Sequence, residues 1–395
     1  MKFVNEFRDP ILAQKLVDEI RSIVSSRWTL MDVCGGQTHS LLRYGIEEAL
    51  ADCVELIHGP GCPVCVTPSD AIDFAQRLAM QPGVILASFG DMLRVPGSRE
   101  SLLDVRARGG RVKIVYSPID AVQLAKDNPE EQVVFFAVGF ETTAPATALA
   151  ILQAKRLELN NFSVLVSHVR VLPAMEALML NPESRVEGFL AAGHVCTITG
   201  YSDYDAFVDR FRVPVVVTGF EPLDLLQGIL EAIRLLEKGI HAVVNCYARS
   251  ARRDGNPVAQ SILDRVYEVA DCSWRGFGSI ERGGLRLRQE YSAFDATLRF
   301  RFGDTNQVHL PELCLSAEVM SGKIKPPQCP FFGNRCTPDN PLGAPMVSSE
   351  GACSAYMRYR SATASSATAS SDTALSDTAL SDTALSDTAT RGCAP

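Results

Sequence analysis

The chain has 395 residues, is 46% hydrophobic and has a formal net charge of −8, with a sequence pI of about 5.4. This length predicts two or three globular domains with substantial cores. The acidic balance, with no cluster of Lys and Arg, argues against nucleic acid as a partner. The longest apolar runs have only strand length, and the N-terminal residues lack the apolar core of a signal peptide. We therefore expect no membrane contact and a cytoplasmic location.

Apolar patterns in the first part of the chain predict a regular alternation of helices and strands. Residues 9–27 show helical spacing. Apolar runs of strand length follow at 29–33, 54–57, 84–87, 112–116 and 133–138. Most of these runs lead into a helix-like segment, and several end in a glycine-containing loop.

The same alternation continues, with predicted strands and helices at 163–167, 188–192 and 215–218, and at 146–159 and 223–238. Strands that alternate with helices favour parallel sheets. Segments 138–142 and 218–222 both place Gly-Phe-Glu between an apolar run and a helix, which indicates two similar halves. The predicted fold class is α/β, with two similar parallel-sheet α/β domains around a cleft, at residues 1–125 and 126–245.

Loops at the C-terminal ends of parallel strands form the ligand crevice of such folds. Five residues with reactive side chains fall in these loops, namely Cys34, Cys62, Cys65, Glu141 and Glu221. We therefore expect a functional site that is built from the first of these loops.

The alternation fades beyond residue 246, and residues 294–302 alternate in the manner of an antiparallel strand. We predict a smaller C-terminal α+β domain at 246–360. Residues 361–390 are six five-residue repeats of Ser, Ala, Thr, Asp and Leu, with too few apolar anchors to bury a core. A disordered tail is therefore predicted at 361–395, and Cys393 at its end is given no role.

Twelve cysteines in a cytoplasmic chain favour metal or redox chemistry over a disulfide framework. Pro and Gly bend the chain around four of them, so that their thiolates can converge on an iron-sulfur cluster. Zinc is the nearest alternative, although paired C-x2-C knuckles are missing, and four inert buried thiols are a further one. The four residues are Cys314, Cys329, Cys336 and Cys353.

A second cysteine motif follows the predicted strand at 54–57, in the segment 59–65 with the sequence GPGCPVC. Its C-x2-C spacing allows Cys62 and Cys65 to close a disulfide, and a helix predicted from Ser69 lowers thiol pKa at its N-terminus. We predict a redox-active pair. Half of a metal site is the alternative.

The third motif is Cys34-Gly-Gly at the end of the first predicted strand, with His39 in the helix that follows. The two glycines allow a ligand to approach the backbone closely. A packing role for Cys34 remains the alternative, since buried cysteines are common. His58, His168 and His194 are equally compatible with a core or a functional position.

Four segments together resemble the HypD family of hydrogenase maturation proteins, over about residues 1–360. They are 34–39 (CGGQTH), 59–65 (GPGCPVC), 139–145 (GFETTAP) and 346–353 (MVSSEGAC). The C-terminal spacing C-x14-C-x6-C-x16-C also matches the family. The resemblance implies a [4Fe-4S] cluster on Cys314, Cys329, Cys336 and Cys353.

The resemblance further implies a scaffold for assembly of the iron centre of [NiFe] hydrogenase. A HypC-type chaperone would share an iron that receives two cyanides and one carbon monoxide, with cyanide donated by HypE together with HypF. Cys34 would hold this iron with His39 beside it, Cys62 and Cys65 would be the redox pair, and Glu350 would support the cluster or proton movement. Gln37 stands where many relatives have His.

ATP hydrolysis has also been attributed to the family, but no G-x4-GK[ST] loop appears in this chain. Two other classes of function remain open at this stage. One is a stand-alone thiol-disulfide oxidoreductase that uses Cys62 and Cys65, and the other is a structural zinc protein that docks a partner.

Overall fold

The computed structural model of this chain describes residues 5–302 and 313–359. The predicted tail at 361–395, including Cys393, lies outside these ranges. The strands are β1 (Trp28–Asp32), β2 (Val54–His58), β3 (Val84–Ser88), β4 (Val112–Ile114), β5 (Gln132–Gly139), β6 (Phe162–His168), β7 (Gly188–Ala192), β8 (Val215–Thr218), β9 (Val243–Asn245), β10 (Tyr267–Trp274) and β11 (Gly278–Leu287).

The first eight helices precede or follow the strands of the first half of the chain. They are α1 (Pro10–Ile23), α2 (Gly35–Arg43), α3 (Ile46–Ala49), α4 (Pro63–Val66), α5 (Ser69–Met80), α6 (Leu102–Ala107), α7 (Pro118–Asp127) and α8 (Ala144–Arg156). Several begin at local signals in the sequence: Ser117, for example, caps α7 in a capping box with Asp120, followed by a proline.

The remaining helices are α9 (Val171–Leu180), α10 (Gly193–Thr199), α11 (Tyr204–Phe211), α12 (Pro222–Glu237), α13 (Pro257–Val266), α14 (Ala296–Arg299), α15 (Ser316–Met320) and α16 (Ala344–Val347). Short 3-10 helices lie at Asn5–Arg8, Gly90–Arg94, Gln289–Phe294 and Pro326–Gln328. No helix among the described residues combines the length and apolar character needed to cross a membrane.

Two parallel sheets form the framework, which confirms the α/β prediction. Sheet A has the strand order β2-β1-β7-β8-β9, and sheet B has the order β4-β3-β5-β6. Every pairing within each sheet is parallel. Strands β10 and β11 form a separate antiparallel hairpin.

The two sheets do not coincide with the predicted ranges 1–125 and 126–245. Sheet A takes β1 and β2 from the first range and β7 to β9 from the second, while sheet B takes β3 and β4 from the first and β5 and β6 from the second. The chain therefore leaves sheet A after β2, builds all of sheet B, and returns at β7. Apolar periodicity identifies strands but not their partners, so it could not predict which strands share a sheet.

One apolar core joins the two sheets. Alternate side chains of a strand point to opposite faces, and the core cluster shared by both sheets contains Met31 and Phe189 from sheet A together with Phe136 from sheet B. The outer faces are covered separately by helices, sheet A by α1 and α12 and sheet B by α7, α8 and α13. Cys34, Cys62 and Cys65 all belong to the shared core.

The C-terminal part divides between the two sheets. Helix α13 and the β10–β11 hairpin pack on sheet B, against α8, α9 and β6. Residues 313–359 lie instead on sheet A, where α15 contacts β2 and Tyr356 packs against Leu42 of α2. The predicted strand at 294–302 is wrong, because Asp295 caps α14 by accepting a hydrogen bond from the Thr297 amide and starts a helical turn there.

Candidate metal and thiol site

The Cys34 loop and the GPGCPVC loop follow neighbouring parallel strands, β1 and β2, and they meet at the same edge of sheet A. The Gly35 amide donates to the Gly61 carbonyl at 3.0 Å, and the Gly59 amide donates to the Asp32 carbonyl at 2.8 Å. The prediction that these two loops lie together at the strand ends is therefore confirmed.

Gly61 and Gly35 are tightly enclosed. A Cβ atom on Gly61 would lie 2.3 Å from both the Cα and the amide nitrogen of Cys34. A Cβ atom on Gly35 would lie 2.4 Å from the Cβ of Glu350 and 2.5 Å from its carbonyl oxygen. The Cys34 loop thus lies between the GPGCPVC loop and the segment that leads to Cys353, so three distant motifs converge on one backbone position.

The Cys34 thiol is buried, with 3% of the residue exposed. Burial raises its pKa to about 12, which keeps the thiol protonated at neutral pH. The Nδ1 atom of His194 lies 3.6 Å from the Cys34 sulfur, and burial lowers the pKa of His194 to about 4, so this imidazole is neutral. The sequence pattern did not link His194 to Cys34. The structure brings them together because each residue follows one of two neighbouring strands of sheet A, β7 and β1.

Cys62 and Cys65 form a disulfide with a Cα–Cα distance of 5.2 Å. The residues are 3% and 1% exposed, and Cys62 is the N-cap of the short helix α4, where its sulfur accepts a hydrogen bond from the Cys65 amide. The predicted pairing of these two cysteines is present. Because both sulfurs are buried, a large substrate cannot reach them without a rearrangement of the loop.

His39 of α2 faces the C-terminal segment. Its Nε2 atom lies 3.0 Å from the Tyr359 hydroxyl, and its Nδ1 atom lies 3.4 Å from the Ser349 carbonyl. The ring is half-buried, and burial lowers its pKa. His39 therefore fastens α2 to the residues on either side of Cys353 and next to Glu350.

The four C-terminal cysteines line one apolar cavity. Six apolar residues and one serine complete its walls. The lining consists of Cys314, Cys329, Cys336 and Cys353 with Leu315, Ser316, Val319, Phe331, Phe332, Leu342 and Met346. Burial raises the pKa of the Cys353 thiol, and the other three cysteines raise it further. Across residues 5–302 and 313–359, no group of three or more His, Cys, Asp or Glu side chains is arranged to hold a single metal ion.

One short helix lies between this cavity and the disulfide. Helix α16 packs on α4, which contains Cys65. Met346 of α16 lines the cysteine cavity, and Val347 belongs to the same core cluster as Cys62 and Cys65. The thiol cavity and the disulfide are therefore neighbours in the fold, although more than 250 residues separate Cys65 from Cys329 in the sequence.

A buried network of charges lies below the two loops. The Nδ1 atom of His58 donates to Asp32 at 2.5 Å, and its Nε2 atom lies 3.8 Å from Glu47. Glu47 also accepts from Lys325 at 2.5 Å and from the Tyr356 hydroxyl at 2.6 Å. Lys325 and Tyr356 flank two of the four cysteines, so a single carboxylate ties the C-terminal segment to sheet A.

The network favours the charged form of His58. Burial alone would lower the pKa of this imidazole, but Asp32 and Glu47 outweigh that effect and raise it to about 9. Burial likewise acts to raise the pKa of Glu47, yet His58 and Lys325 hold it below its usual range. His58 stands directly before the GPGCPVC loop in the sequence. No pattern in the sequence predicts that it lies near Glu47, or that Glu47 binds Lys325.

This network predicts a loss of stability at alkaline pH. Because the folded-state pKa of His58 is about 9, its contribution is complete below the unfolded value near pH 6.5 and is lost as pH rises through 9. The free energy of unfolding, measured with urea, should fall between pH 6 and pH 10. We expect this fall to be larger by roughly 3 kcal/mol in the parent than in His58→Gln. An equal pH dependence in both proteins would refute the role of the network.

Fold and site together define a class: an α/β protein with a buried disulfide, a buried thiol at a strand end and a cavity lined by four thiols. Comparison with known proteins specifies the family. The model of the HypD family, described as "Hydrogenase formation hypA family", matches residues 11–360. The chain belongs to the HypD family.

Curated relatives agree over nearly the whole chain. The protein is 46% identical over 376 residues to the hydrogenase maturation factor HypD of Rhodobacter capsulatus, covering 92% of this chain and 100% of the relative. It is 46% identical over 372 residues to the factor of the same name from Azotobacter vinelandii, covering 91% and 97%. The HypD of Escherichia coli K12 is 43% identical over 368 residues, covering 91% and 98%.

Proposed function

We propose that this protein is a [NiFe] hydrogenase maturation factor that holds iron at Cys34 while two cyanides and one carbon monoxide are attached. A HypC-type chaperone shares the iron, and HypE with HypF supplies cyanide. The observation on which the proposal rests is the convergence of three distant motifs on the backbone of Cys34. The names of the curated relatives support the same function.

The surroundings of Cys34 suit a soft, low-spin iron substrate. Thiolate sulfur is the soft ligand that protein side chains offer to such a metal. The thiol is buried beside the neutral imidazole of His194, with Glu350 packed against the adjacent glycine. Metal binding requires the thiolate form, so loading of iron must release the proton of Cys34. His39 contributes by holding the Glu350 segment in place.

The C-terminal cavity fits a [4Fe-4S] cluster in its donor chemistry. Four thiols line it among apolar side chains, so Cys314, Cys329, Cys336 and Cys353 would be the ligands. When bound, the cluster would supply single electrons. The chain itself places a redox-capable group close by: α16 lines the cavity and packs on α4, where the Cys62–Cys65 disulfide lies.

A stand-alone thiol-disulfide oxidoreductase is less well supported. Such an enzyme presents an accessible sulfur with a lowered thiol pKa to its substrate. Here both sulfurs of the Cys62–Cys65 pair are buried under the packed loops. The arrangement suits internal electron delivery better than exchange with external disulfides.

Anaerobic purification of the parent and of Cys353→Ser tests the cluster. The parent should be brown, with absorbance near roughly 400 nm and about four iron and four sulfide per chain, whereas Cys353→Ser should lose most of both. Cys246→Ser is the matched control, because this half-exposed thiol lies outside the cavity. A colourless parent with stoichiometric zinc would establish the structural zinc alternative instead.

A further inference from the structure

The repeated Gly-Phe-Glu segment has different surroundings in its two copies. In the first copy, after β5, Phe140 is 4% exposed and packs on Trp274 with ring centroids 5.9 Å apart. Glu141 accepts a hydrogen bond from the Val171 amide at 3.0 Å, at the start of α9. Both side chains of the first copy are therefore used in packing, Phe140 in the core shared by the two sheets and Glu141 at the start of α9.

The second copy, after β8, borders the Cys34 site. Phe220 is only partly buried, and its ring lies 5.2 Å from the ring of His194 between centroids. A Cβ atom on Gly36 would lie 3.3 Å from the Phe220 ring and 3.7 Å from the Cys34 sulfur. The Phe220 ring and the Cys34 thiol thus approach the same point of the Cys34 loop.

The backbone on either side of Phe220 is fixed. A Cβ atom on Gly219 would lie 2.3 Å from the Asp224 carboxylate, and Arg249 binds both oxygens of that carboxylate at 2.6 and 2.5 Å. Glu221 pairs with Arg8, with one N–O distance of 2.8 Å. Any movement at this position therefore falls to the side chain of Phe220 rather than to its loop.

Two of the other walls around Cys34 are formed by backbone, which cannot rotate away as a side chain can. On one side Gly61 stacks directly on the backbone of Cys34, and on another the backbone of Glu350 covers Gly35. His194 is in contact with the sulfur itself. Phe220 is a partly exposed apolar side chain at this enclosure, and its ring lies 6.1 Å from that of Tyr247 between centroids.

We propose that Phe220 controls access to Cys34: its ring closes the enclosure of the thiol, and rotation of the ring opens it to an incoming metal-bearing group. That iron enters by this route rests on the proposed function. Control of access by Phe220 does not rest on it, because it depends only on the packing around the thiol. Phe220 is therefore a positioning residue and takes no part in bond formation.

The rate of alkylation by iodoacetamide, resolved by peptide mass spectrometry without added reductant, tests the proposal. The rate at Cys34 is divided by the rate at Cys272, a half-exposed thiol of β10 in the same sample. Phe220→Ala should raise this ratio at least tenfold, and Phe220→Leu, which keeps most of the apolar volume, should raise it much less. Phe211→Ala, at a partly buried phenylalanine of α11, should leave it unchanged.

The ratio separates access from unfolding, because general loosening accelerates both thiols. A ratio in Phe220→Ala within twofold of the parent would overturn the proposal, and so would an equal rise in Phe211→Ala. The measurement needs neither iron nor a partner. A positive result can therefore coexist with failure of the proposed function, and the two outcomes remain distinguishable.

Discussion

Replacement of Gly61 by alanine should abolish hydrogenase maturation and destabilise the protein by several kcal/mol. The added methyl would lie 2.3 Å from the Cα and amide nitrogen of Cys34 and 2.5 Å from the carbonyl carbon of Val33. All three are backbone atoms of a buried strand end, so no side chain can rotate away. The loops of β1 and β2 would have to separate, and the Gly35–Gly61 hydrogen bond would be lost.

Gly90→Ala is the matched control for this substitution. Gly90 also follows a parallel strand of the chain, but a Cβ atom there has only Ile114 near it, at 3.8 Å. Thermal unfolding and complementation of a strain that lacks its own copy would measure both effects. If Gly61→Ala were as stable and as active as Gly90→Ala, the close packing of the two loops would not be required for stability or for maturation.

Cys34→Ala should remove maturation activity in the same complementation assay, by at least a hundredfold, while the fold survives. The side chain is small and lies between β1 and helix α2, so its loss should cost roughly 1 kcal/mol of stability. The loss of activity follows because Cys34 is the residue on which the GPGCPVC loop and the Glu350 segment converge.

Cys196→Ala is the control for this variant. Cys196 is also buried, and its thiol pKa is likewise raised to about 12 by burial, but it sits in α10 and accepts a hydrogen bond from Tyr204. Retention of maturation in Cys196→Ala together with its loss in Cys34→Ala would separate the chemistry of the thiol from the packing of a buried cysteine. Equal activity of both variants would argue against Cys34 as the iron-holding residue.

Strands and loops were predictable because their signals are local. Buried parallel strands such as β5 appear as continuous apolar runs, and glycines mark the sharp loops behind them. The proximity of Cys34 to Cys62 and Cys65 followed from the same pattern, since neighbouring parallel strands bring their C-terminal ends together. Local signals do not predict which strands share a sheet. The chain returns to sheet A at β7, and this return depends on packing across the shared core.

The missed features share a dependence on distant pairing. The β10–β11 hairpin escaped prediction because β10 is buried only at Tyr267 and Trp274, and the residues between them are half-buried or exposed, so the strand has no continuous apolar run. The charge network joins Asp32, His58 and Glu47 to a lysine and a tyrosine of the C-terminal segment. No spacing in a single sequence predicts such a pairing, since each partner comes from a different element.

Anaerobic infrared spectroscopy of the protein purified together with its HypC-type partner tests the central claim most directly. The parent complex should show cyanide and carbon monoxide stretching bands from the iron substrate, and these bands should be absent in Cys34→Ala but present in Cys196→Ala. Bands of parental intensity in Cys34→Ala would contradict the assignment of Cys34 as the residue that holds the iron.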